Sequence, residues 1–144
     1  MIGIDTNVLL RRVQSDHPEH GIAIASVARL LAAREAVYFT LQNISEFWNV
    51  VTRPIDRNGL GLSAALALAQ VNRIERFLIV LPDSPAAYEE WKRLVVAHGV
   101  LGKKVHDAKL VAAMNVHSVQ RILTFDIGDF ARYDIEVIHP ANLV

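Results

Sequence analysis

The fold is indicated first by residues 2–7, which read Ile2-Gly3-Ile4-Asp5-Thr6-Asn7. A short apolar segment of this kind is typical of a central strand in an α/β sheet, because strands covered by helices on both faces are apolar along their length. Asp5 then follows the strand at its carboxyl end, where open parallel sheets place their ligand sites. An aspartate here also suits the N-cap of a following helix. The segment therefore predicts an α/β fold and leaves two roles open for Asp5.

Short apolar segments alternate with helical patterns along the rest of the chain. Strands are predicted over 2–5, 37–40, 77–81, 121–125 and 136–138. Helices are predicted over 7–13, 19–34, 42–53, 64–76, from the turn at 82–85 to about 98, and over 106–116, with a short turn or helix over 126–131. Strands that alternate with helices pair in parallel through right-handed crossovers. We therefore expect a single three-layer α/β/α domain, residues 1–144, around a central, mostly parallel five-stranded sheet.

The composition indicates a globular chain without strong net charge. Its 144 residues are 52% hydrophobic and 21% charged, which suits a folded domain with its own core. It has no cysteine, so disulfides and thiolate metal sites are excluded. Fifteen basic residues balance fifteen acidic ones, so any contact with nucleic acid would involve a local patch. No signal peptide and no apolar run of about 18 residues is present, from which we expect a cytoplasmic protein without a membrane partner.

Three further acidic positions are candidates to join Asp5. Glu46 lies on a helix, on a polar stripe that is otherwise typical of a solvated face. Asp107 shares a helix face with apolar residues at i+3, i+4 and i+7, and a buried carboxylate is costly unless it is paired, capped or bound to metal. Asp126 follows the strand over 121–125 much as Asp5 follows the first strand, with Asp129 close behind. Ordinary turn chemistry is the alternative for this last pair.

Carboxylates gathered at one sheet edge repel one another unless a cation neutralises them. Oxygen ligands favour Mg²⁺ or Mn²⁺ over Zn²⁺. Such an ion polarises phosphoryl oxygens and activates water, so the predicted chemistry is metal-assisted phosphodiester hydrolysis. Thr124, just before these acids, is a candidate to orient a carboxylate or water through its hydroxyl. The six histidines show no metal-binding spacing, and no phosphate-binding glycine loop or G-x-S-x-G motif occurs.

Four segments together resemble a PIN domain, and within that family the VapC-type toxins of toxin–antitoxin pairs. The segments are Ile4-Asp5-Thr6-Asn7-Val8-Leu9-Leu10, Asn43-Ile44-Ser45-Glu46-Phe47-Trp48-Asn49-Val50, His106-Asp107-Ala108 and Leu123-Thr124-Phe125-Asp126-Ile127-Gly128-Asp129-Phe130. The resemblance covers essentially the whole chain. It implies an Mg²⁺- or Mn²⁺-dependent endoribonuclease that forms homodimers and is blocked by a small antitoxin protein.

The resemblance also implies roles for individual residues. Asp5, Glu46 and Asp107 would be catalytic acids, with Asp126 as the fourth. The metal ligands would be Asp5, Asp107, Asp126 and Asp129. Some relatives have Asn at the position of Asp126 and keep an acid at that of Asp129, so the main fourth acid stays open. The helpers Thr6 and Asn7 would hold the first carboxylate or a metal-bound water.

Basic residues near the predicted site are candidates for RNA contacts. Lys103, Lys104 and Arg53 could bind RNA phosphates, or could be solvated surface charges. Three other functions were weighed against the toxin. A PIN-fold nuclease in RNA processing would lack an antitoxin. A phosphatase with Asp5 as nucleophile would usually have a second aspartate where Asn7 stands. A non-catalytic RNA- or protein-binding module would bind no metal.

Overall fold

The computed structural model describes all residues, 1–144. Five strands form one sheet: β1 (Ile2–Ile4), β2 (Val37–Thr40), β3 (Ile79–Leu81), β4 (Arg121–Leu123) and β5 (Glu136–Ile138). The order across the sheet is β3-β2-β1-β4-β5, and every pair is parallel. The predicted α/β fold with a five-stranded sheet is therefore confirmed, and the sheet is wholly rather than mostly parallel.

Seven α-helices connect and cover these strands. They are α1 (Thr6–Arg11), α2 (His20–Ala32), α3 (Leu41–Thr52), α4 (Ala64–Phe77), α5 (Pro85–Ala97), α6 (Val105–Val116) and α7 (Ile127–Phe130). Short 3₁₀ turns occupy Ile55–Arg57, Gly102–Lys104 and Pro140–Leu143. No helix is long and apolar enough to cross a membrane.

Three predicted strands are longer than the observed ones, and the first of them, β1, ends at Ile4 rather than at Asp5. Phe77, predicted to begin β3, is the last residue of α4, and the chain becomes extended only at Leu78. Likewise β4 ends at Leu123 rather than at Phe125. There the side chain of Asn7 accepts a hydrogen bond from the Phe125 backbone N–H. This backbone N–H therefore bonds to a side chain near the acids and not to a neighbouring strand. The apolar sequence does not show where β3 begins or where β4 ends, because apolar residues continue past both points.

Side-chain caps start the helices that leave the sheet's carboxyl edge. Asp5 caps α1 by accepting a hydrogen bond from the Thr6 backbone N–H at 2.7 Å. Thr40 and Asn43 form a reciprocal capping box at the start of α3, which satisfies backbone donors that the first turn leaves free. Ser84 caps α5, which follows β3. The caps fix the direction of each helix and so the side chains that it presents at this edge.

Separate hydrophobic clusters cover the two faces of the sheet. Helices α1–α4 contribute to one of them, which includes Ile2, Ile4 and Phe47. Helices α5 and α6 contribute to the other, where α6 lies directly on β1. A Cβ on Gly3 would lie 2.8 Å from the sulfur of Met114, so a glycine here lets the Met114 side chain pack directly on β1 without shifting. The close packing fixes α6, and with it Asp107, relative to β1.

Candidate functional site

The predicted acids converge at the carboxyl edge of the sheet. Asp5 follows β1, Glu46 lies in the second turn of α3, Asp107 in the first turn of α6, and Asp126 and Asp129 follow β4. These acids repel one another, since the charges of Asp107 and Glu46 both raise the pKa of Asp5. The topology therefore assembles side chains that are far apart in the sequence.

Asp5 is the most deeply enclosed of these acids. Burial raises its pKa to about 7, and repulsion by Asp107 and Glu46 adds to the rise. Hydrogen bonds from the Thr124 hydroxyl and the Thr6 backbone N–H, each 2.7 Å long, oppose it. Asp5 thus caps α1 through one oxygen, and the same carboxylate lies among the other acids, where its functional role stays a prediction.

Thr124 connects Asp5 to the loop after β4. It is fully buried, and its hydroxyl donates to Asp5 while accepting hydrogen bonds from the Asn7 side chain at 3.1 Å and from the Asp126 backbone N–H at 3.0 Å. Asn7 also donates to the Asp126 carboxylate at 3.1 Å. One hydroxyl and one amide therefore set the relative positions of the first and fourth acids, as was predicted for Thr124.

Glu46 is held by a second chain of hydrogen bonds. The Thr6 hydroxyl donates to it at 2.6 Å, and the Asn43 amide in turn donates to the Thr6 hydroxyl at 3.0 Å. Because Asn43 donates to that oxygen, the Thr6 proton is directed to Glu46. Gln42 donates to the other carboxylate oxygen at 2.8 Å and to the backbone carbonyl of His106 at 2.9 Å. The Thr6 hydroxyl therefore binds Glu46, whereas Asp5 is bound only by the Thr6 backbone N–H.

Asp107 and Asp129 form the side of the site that lies next to Lys104. Burial raises the pKa of Asp107 to about 6, and repulsion from Asp129 adds to it. Lys104 forms an ion pair with Asp129 and partly offsets this rise. Asp126 and Asp129 therefore differ in their surroundings, because neutral donors hold Asp126 whereas an ammonium group pairs with Asp129.

The three predicted RNA contacts lie in different places. Lys104 is engaged with Asp129 at the site, and Lys103 is exposed beside it. Arg53 follows the last residue of α3, about 10 Å farther along the helix axis than Glu46. Its Nε is buried without a hydrogen-bond partner. Arg53 therefore does not share the acidic site, although it continues the polar stripe of Glu46 in the sequence.

The donor chemistry of the site fits a hard divalent cation. All the gathered acids offer oxygen ligands, and the raised pKa values of Asp5 and Asp107 reflect burial and repulsion that a cation would relieve. In the present side-chain positions, no three His, Asp or Glu residues form a ready-made metal site. Hydroxyl, amide and ammonium groups instead bind Asp5, Glu46, Asp126 and Asp129 one by one.

A groove of about 800 Å³ adjoins the acids between α3, α5 and α6. Glu46 and Gln42 lie on one wall, and Tyr88 and Trp91 on the opposite one. The Trp91 indole N–H donates to the Val105 carbonyl at 2.9 Å, so this ring is fixed in place. The groove therefore has a rigid aromatic wall and opens beside a candidate catalytic acid.

The sequence profile of the PIN domain matches residues 2–136 of the chain. The chain belongs to the PIN-domain family. It is 30% identical over 138 residues to ribonuclease VapC24 from Mycobacterium tuberculosis, an alignment that covers 92% of this chain and 91% of that protein. The predicted family resemblance is therefore confirmed.

Solved structures show the same PIN fold. The toxin VapC20 from Mycobacterium tuberculosis, described as cleaving the sarcin-ricin loop, superposes with a TM-score of 0.70 at 22% identity, covering 95% of this chain and 98% of that one. VapBC2 from Rickettsia felis, bound to a DNA fragment from its promoter, gives 0.68 at 12% identity, covering 96% and 98%.

The sequence does not predict two residues of this PIN-domain site. Asn43, which is buried, and Gln42, which is half-buried, both orient Glu46. The sequence does carry a signal for Asn43, because Thr40 and Asn43 have the spacing of a capping box. Its second hydrogen bond, to Thr6, depends on how α1 and α3 pack and has no counterpart in sequence spacing.

Proposed function

We propose that this protein is a divalent-metal-dependent endoribonuclease and the toxin of a toxin–antitoxin pair. The observation that carries the proposal is the convergence of Asp5, Glu46, Asp107 and Asp126 beside an open groove. The relationship to ribonuclease VapC24 supports the reaction class. The related VapBC complexes support a small protein partner. We further propose a cytoplasmic homodimer built from one PIN domain per chain, residues 1–144.

The acids divide into metal ligands and a proton acceptor. Asp5, Asp107 and Asp126 would hold Mg²⁺ or Mn²⁺, with Asp129 released from Lys104 as a further ligand. The bound ion supplies Lewis-acid polarisation of the phosphate and lowers the pKa of water. Thr6 and Gln42 each donate to one oxygen of Glu46 and leave lone pairs free. Those lone pairs would orient a water molecule for in-line attack and accept its proton at Oε1 or Oε2.

The chain's other residues act on the polymer and on the leaving group. The groove between α3 and α5 would hold the unpaired RNA, with Tyr88 as a stacking surface. Lys103 and, once displaced from Asp129, Lys104 would bind flanking phosphates. In hydrolysis the water oxygen forms a bond to phosphorus, the bond to the leaving oxygen breaks, and solvent protonates the leaving oxygen.

Cleavage of RNA by the purified protein tests the activity. With Mg²⁺ or Mn²⁺ present, we expect the wild type to cut an unstructured RNA and Asp5→Asn to be slower by roughly 10²–10³-fold. Asp56→Asn, an exposed change on the 3₁₀ turn after α3, is the matched control and should leave the rate unchanged. Equal rates for wild type and Asp5→Asn, or activity that persists in EDTA, would refute the proposed mechanism.

Growth of cells that express the protein tests the toxin role separately. We expect induction of the wild type to arrest growth, Asp5→Asn to be harmless, and co-expression of a small protein encoded beside the gene to restore growth. Metal-dependent cleavage without growth arrest would favour the RNA-processing alternative over the toxin.

A further inference from the structure

Lys104 carries the one positive charge that forms a salt bridge with an acid of the candidate site. Its ammonium group bonds to Asp129, and none of the molecule's other salt bridges includes a site acid. The hydrogen bond to Asp129 raises the pKa of Lys104, and the charges of Asp129, Asp107 and Asp126 raise it further. The ammonium group therefore interacts with three of the proposed metal ligands.

The backbone that carries Lys104 is anchored, whereas its side chain is free to change partners. Lys104 ends the 3₁₀ turn Gly102–Lys104 and precedes α6, but its side chain takes no part in capping that helix. The Trp91 indole N–H fixes the next residue by donating to the Val105 carbonyl at 2.9 Å. The Lys104 and Asp129 side chains are 40% and 34% exposed, so solvent reaches their ion pair. A partly exposed pair of this kind contributes little to stability and opens readily.

A divalent cation at Asp129 and the Lys104 ammonium exclude each other. Both are positive and both bind the same carboxylate, and like charges at such a short separation repel strongly. The other proposed ligands form no salt bridge, so Asp129 is the position at which the two cations compete. Lys104 is thus an internal counter-charge for the acids of the metal-free protein, and its release is a condition for a cation to use Asp129.

An RNA phosphate is the natural new acceptor for an ammonium group released from Asp129. Lysine binds phosphates as a compact point charge on a flexible stem. The turn that carries Lys104 also carries Lys103, and it leads directly into α6, whose first turn presents Asp107. A phosphate bound at these acids therefore lies close to both lysines. Lys104 differs from Lys103 in being available only after its bond to Asp129 has opened.

We propose that Lys104 is a metal-dependent phosphate ligand, which neutralises Asp129 in the metal-free protein and binds the RNA backbone once a divalent cation takes Asp129. This exchange rests on the proposed nuclease function. It makes RNA binding depend on the cation, and by linkage the RNA raises the affinity for the cation by the same factor. The metal-free protein therefore holds RNA weakly, which confines tight binding to the state that is ready to cleave.

Mn²⁺ titration of the full chain without nucleic acid tests the competition. Free Mn²⁺ is followed by electron paramagnetic resonance, a readout that does not depend on cleavage. Lys104→Gln replaces the ammonium group by a neutral amide, and we expect Mn²⁺ to bind about 10-fold more tightly to this variant. Lys103→Gln is the matched control, because Lys103 is exposed on the same turn and forms no salt bridge. Its affinity for Mn²⁺ should stay within about 2-fold of the wild-type value at about 0.15 M salt.

A labelled single-stranded DNA tests the exchange, because it carries the phosphates of RNA without the 2′-hydroxyls. The affinity of an oligonucleotide of about 12 residues is measured by fluorescence anisotropy in EDTA and in saturating Mn²⁺. We expect Mn²⁺ to strengthen binding to the wild type about 10-fold, and this gain to be at least about 3-fold smaller in Lys104→Gln. In Lys104→Arg, which keeps the charge, the gain should stay close to that of the wild type.

Three outcomes would overturn the proposal. They are a Lys104→Gln variant that binds Mn²⁺ no more tightly than the wild type, an equal rise in Lys103→Gln, and an equal gain of DNA affinity in wild type and Lys104→Gln. RNA cleavage is measured on the same preparations. A wild type that cuts RNA without the expected effects of Lys104 refutes the exchange and leaves the nuclease function intact. A wild type that shows those effects but cuts no RNA refutes the activity and supports the exchange.

Discussion

The two ends of α1 carry opposite charges, and each end gathers further charges of its own sign. Asp5 at the start of the helix lies among Glu46, Asp107 and the acids after β4. Arg12 at its end faces Arg73. The acidic end is heavily hydrogen-bonded, because Thr124 and Thr6 hold Asp5, whereas Arg12 Nε has no acceptor at all.

The difference shows two ways in which a fold tolerates like charges. At the acidic end, hydrogen bonds from neutral groups hold Asp5, Glu46 and Asp126, as a site needs if it is to position an ion and a reacting phosphate. At the basic end, Arg12 and Arg73 form no salt bridge, and Arg73 is exposed to solvent. The repulsion at the acidic end is enclosed, and a bound cation would relieve it.

Breaking the hydrogen-bond network at the acidic end should have the largest effect. Thr124→Val removes the buried hydroxyl that connects Asp5, Asn7 and Asp126. We expect cleavage to slow by about 10–100-fold, the range for partners that orient metal ligands. The measurement is kcat on a defined RNA at saturating Mn²⁺. Thr52→Val, which removes a hydroxyl bonded only within α3, should leave kcat unchanged; equal losses in both variants would mean that Thr124 has no special role.

A smaller loss of activity is expected when the acidic end keeps all its charges but Glu46 is no longer held in its orientation. Asn43→Ala removes the amide that directs the Thr6 proton, and we expect kcat to fall about 10-fold with little change in KM. Since Asn43 also caps α3, Ser63→Ala on α4 is the control for loss of a helix cap. The control should lose about 1 kcal/mol of stability and no activity. A parallel rise in KM for Asn43→Ala would indicate a substrate-binding role instead.

The fold and the approximate site could be predicted from the sequence, whereas the connections within the site could not. Ile2–Ile4 followed by Asp5, and the apolar stripe behind Asp107, depend on local spacing, which sequence patterns carry. The link from Asn43 through Thr6 to Glu46 depends on the packing of α1 against α3. Arg53 continues the polar stripe of Glu46 but lies about 10 Å farther along the helix axis, and its contact with RNA stays a prediction.

The repulsion at the acidic end should also appear in the stability of the metal-free protein. The folded state binds the Asp5 proton more tightly than the unfolded chain does, since the pKa rises from 3.8 to about 7. Stability should therefore fall as the pH rises through that interval, by on the order of 3–4 kcal/mol at most. Asp107, with a pKa raised to about 6, contributes in the same direction. Urea unfolding in EDTA between pH 4 and 8 measures the slope, which should be shallower in Asp5→Asn; a rise in stability over this interval would contradict the description of the site.

A substitution at the basic end should have the smallest effect. It should raise the stability of the protein, whereas most core substitutions lower it. Arg12→Met replaces an enclosed charge without a partner, so we expect the free energy of unfolding to increase by about 1 kcal/mol. Urea unfolding measures it. The exposed change Arg76→Met on α4 should alter stability by less than about 0.5 kcal/mol. A clear loss of stability in Arg12→Met would show that the Arg12 side chain supports the fold.

The central claim is that the acids at the start of α1 are gathered for a divalent cation. Its most direct test is the thermal stability of wild type and Asp5→Asn at pH 8, in EDTA and in Mn²⁺. In EDTA we expect Asp5→Asn to be the more stable by about 1–3 kcal/mol, because it lacks one repelling buried charge. Mn²⁺ at about 100 times its Kd should stabilise the wild type by about 2.7 kcal/mol and the variant far less. The stability difference between the two proteins should therefore close or reverse in Mn²⁺. A variant that is less stable in EDTA, or an equal gain for both proteins in Mn²⁺, would contradict the claim.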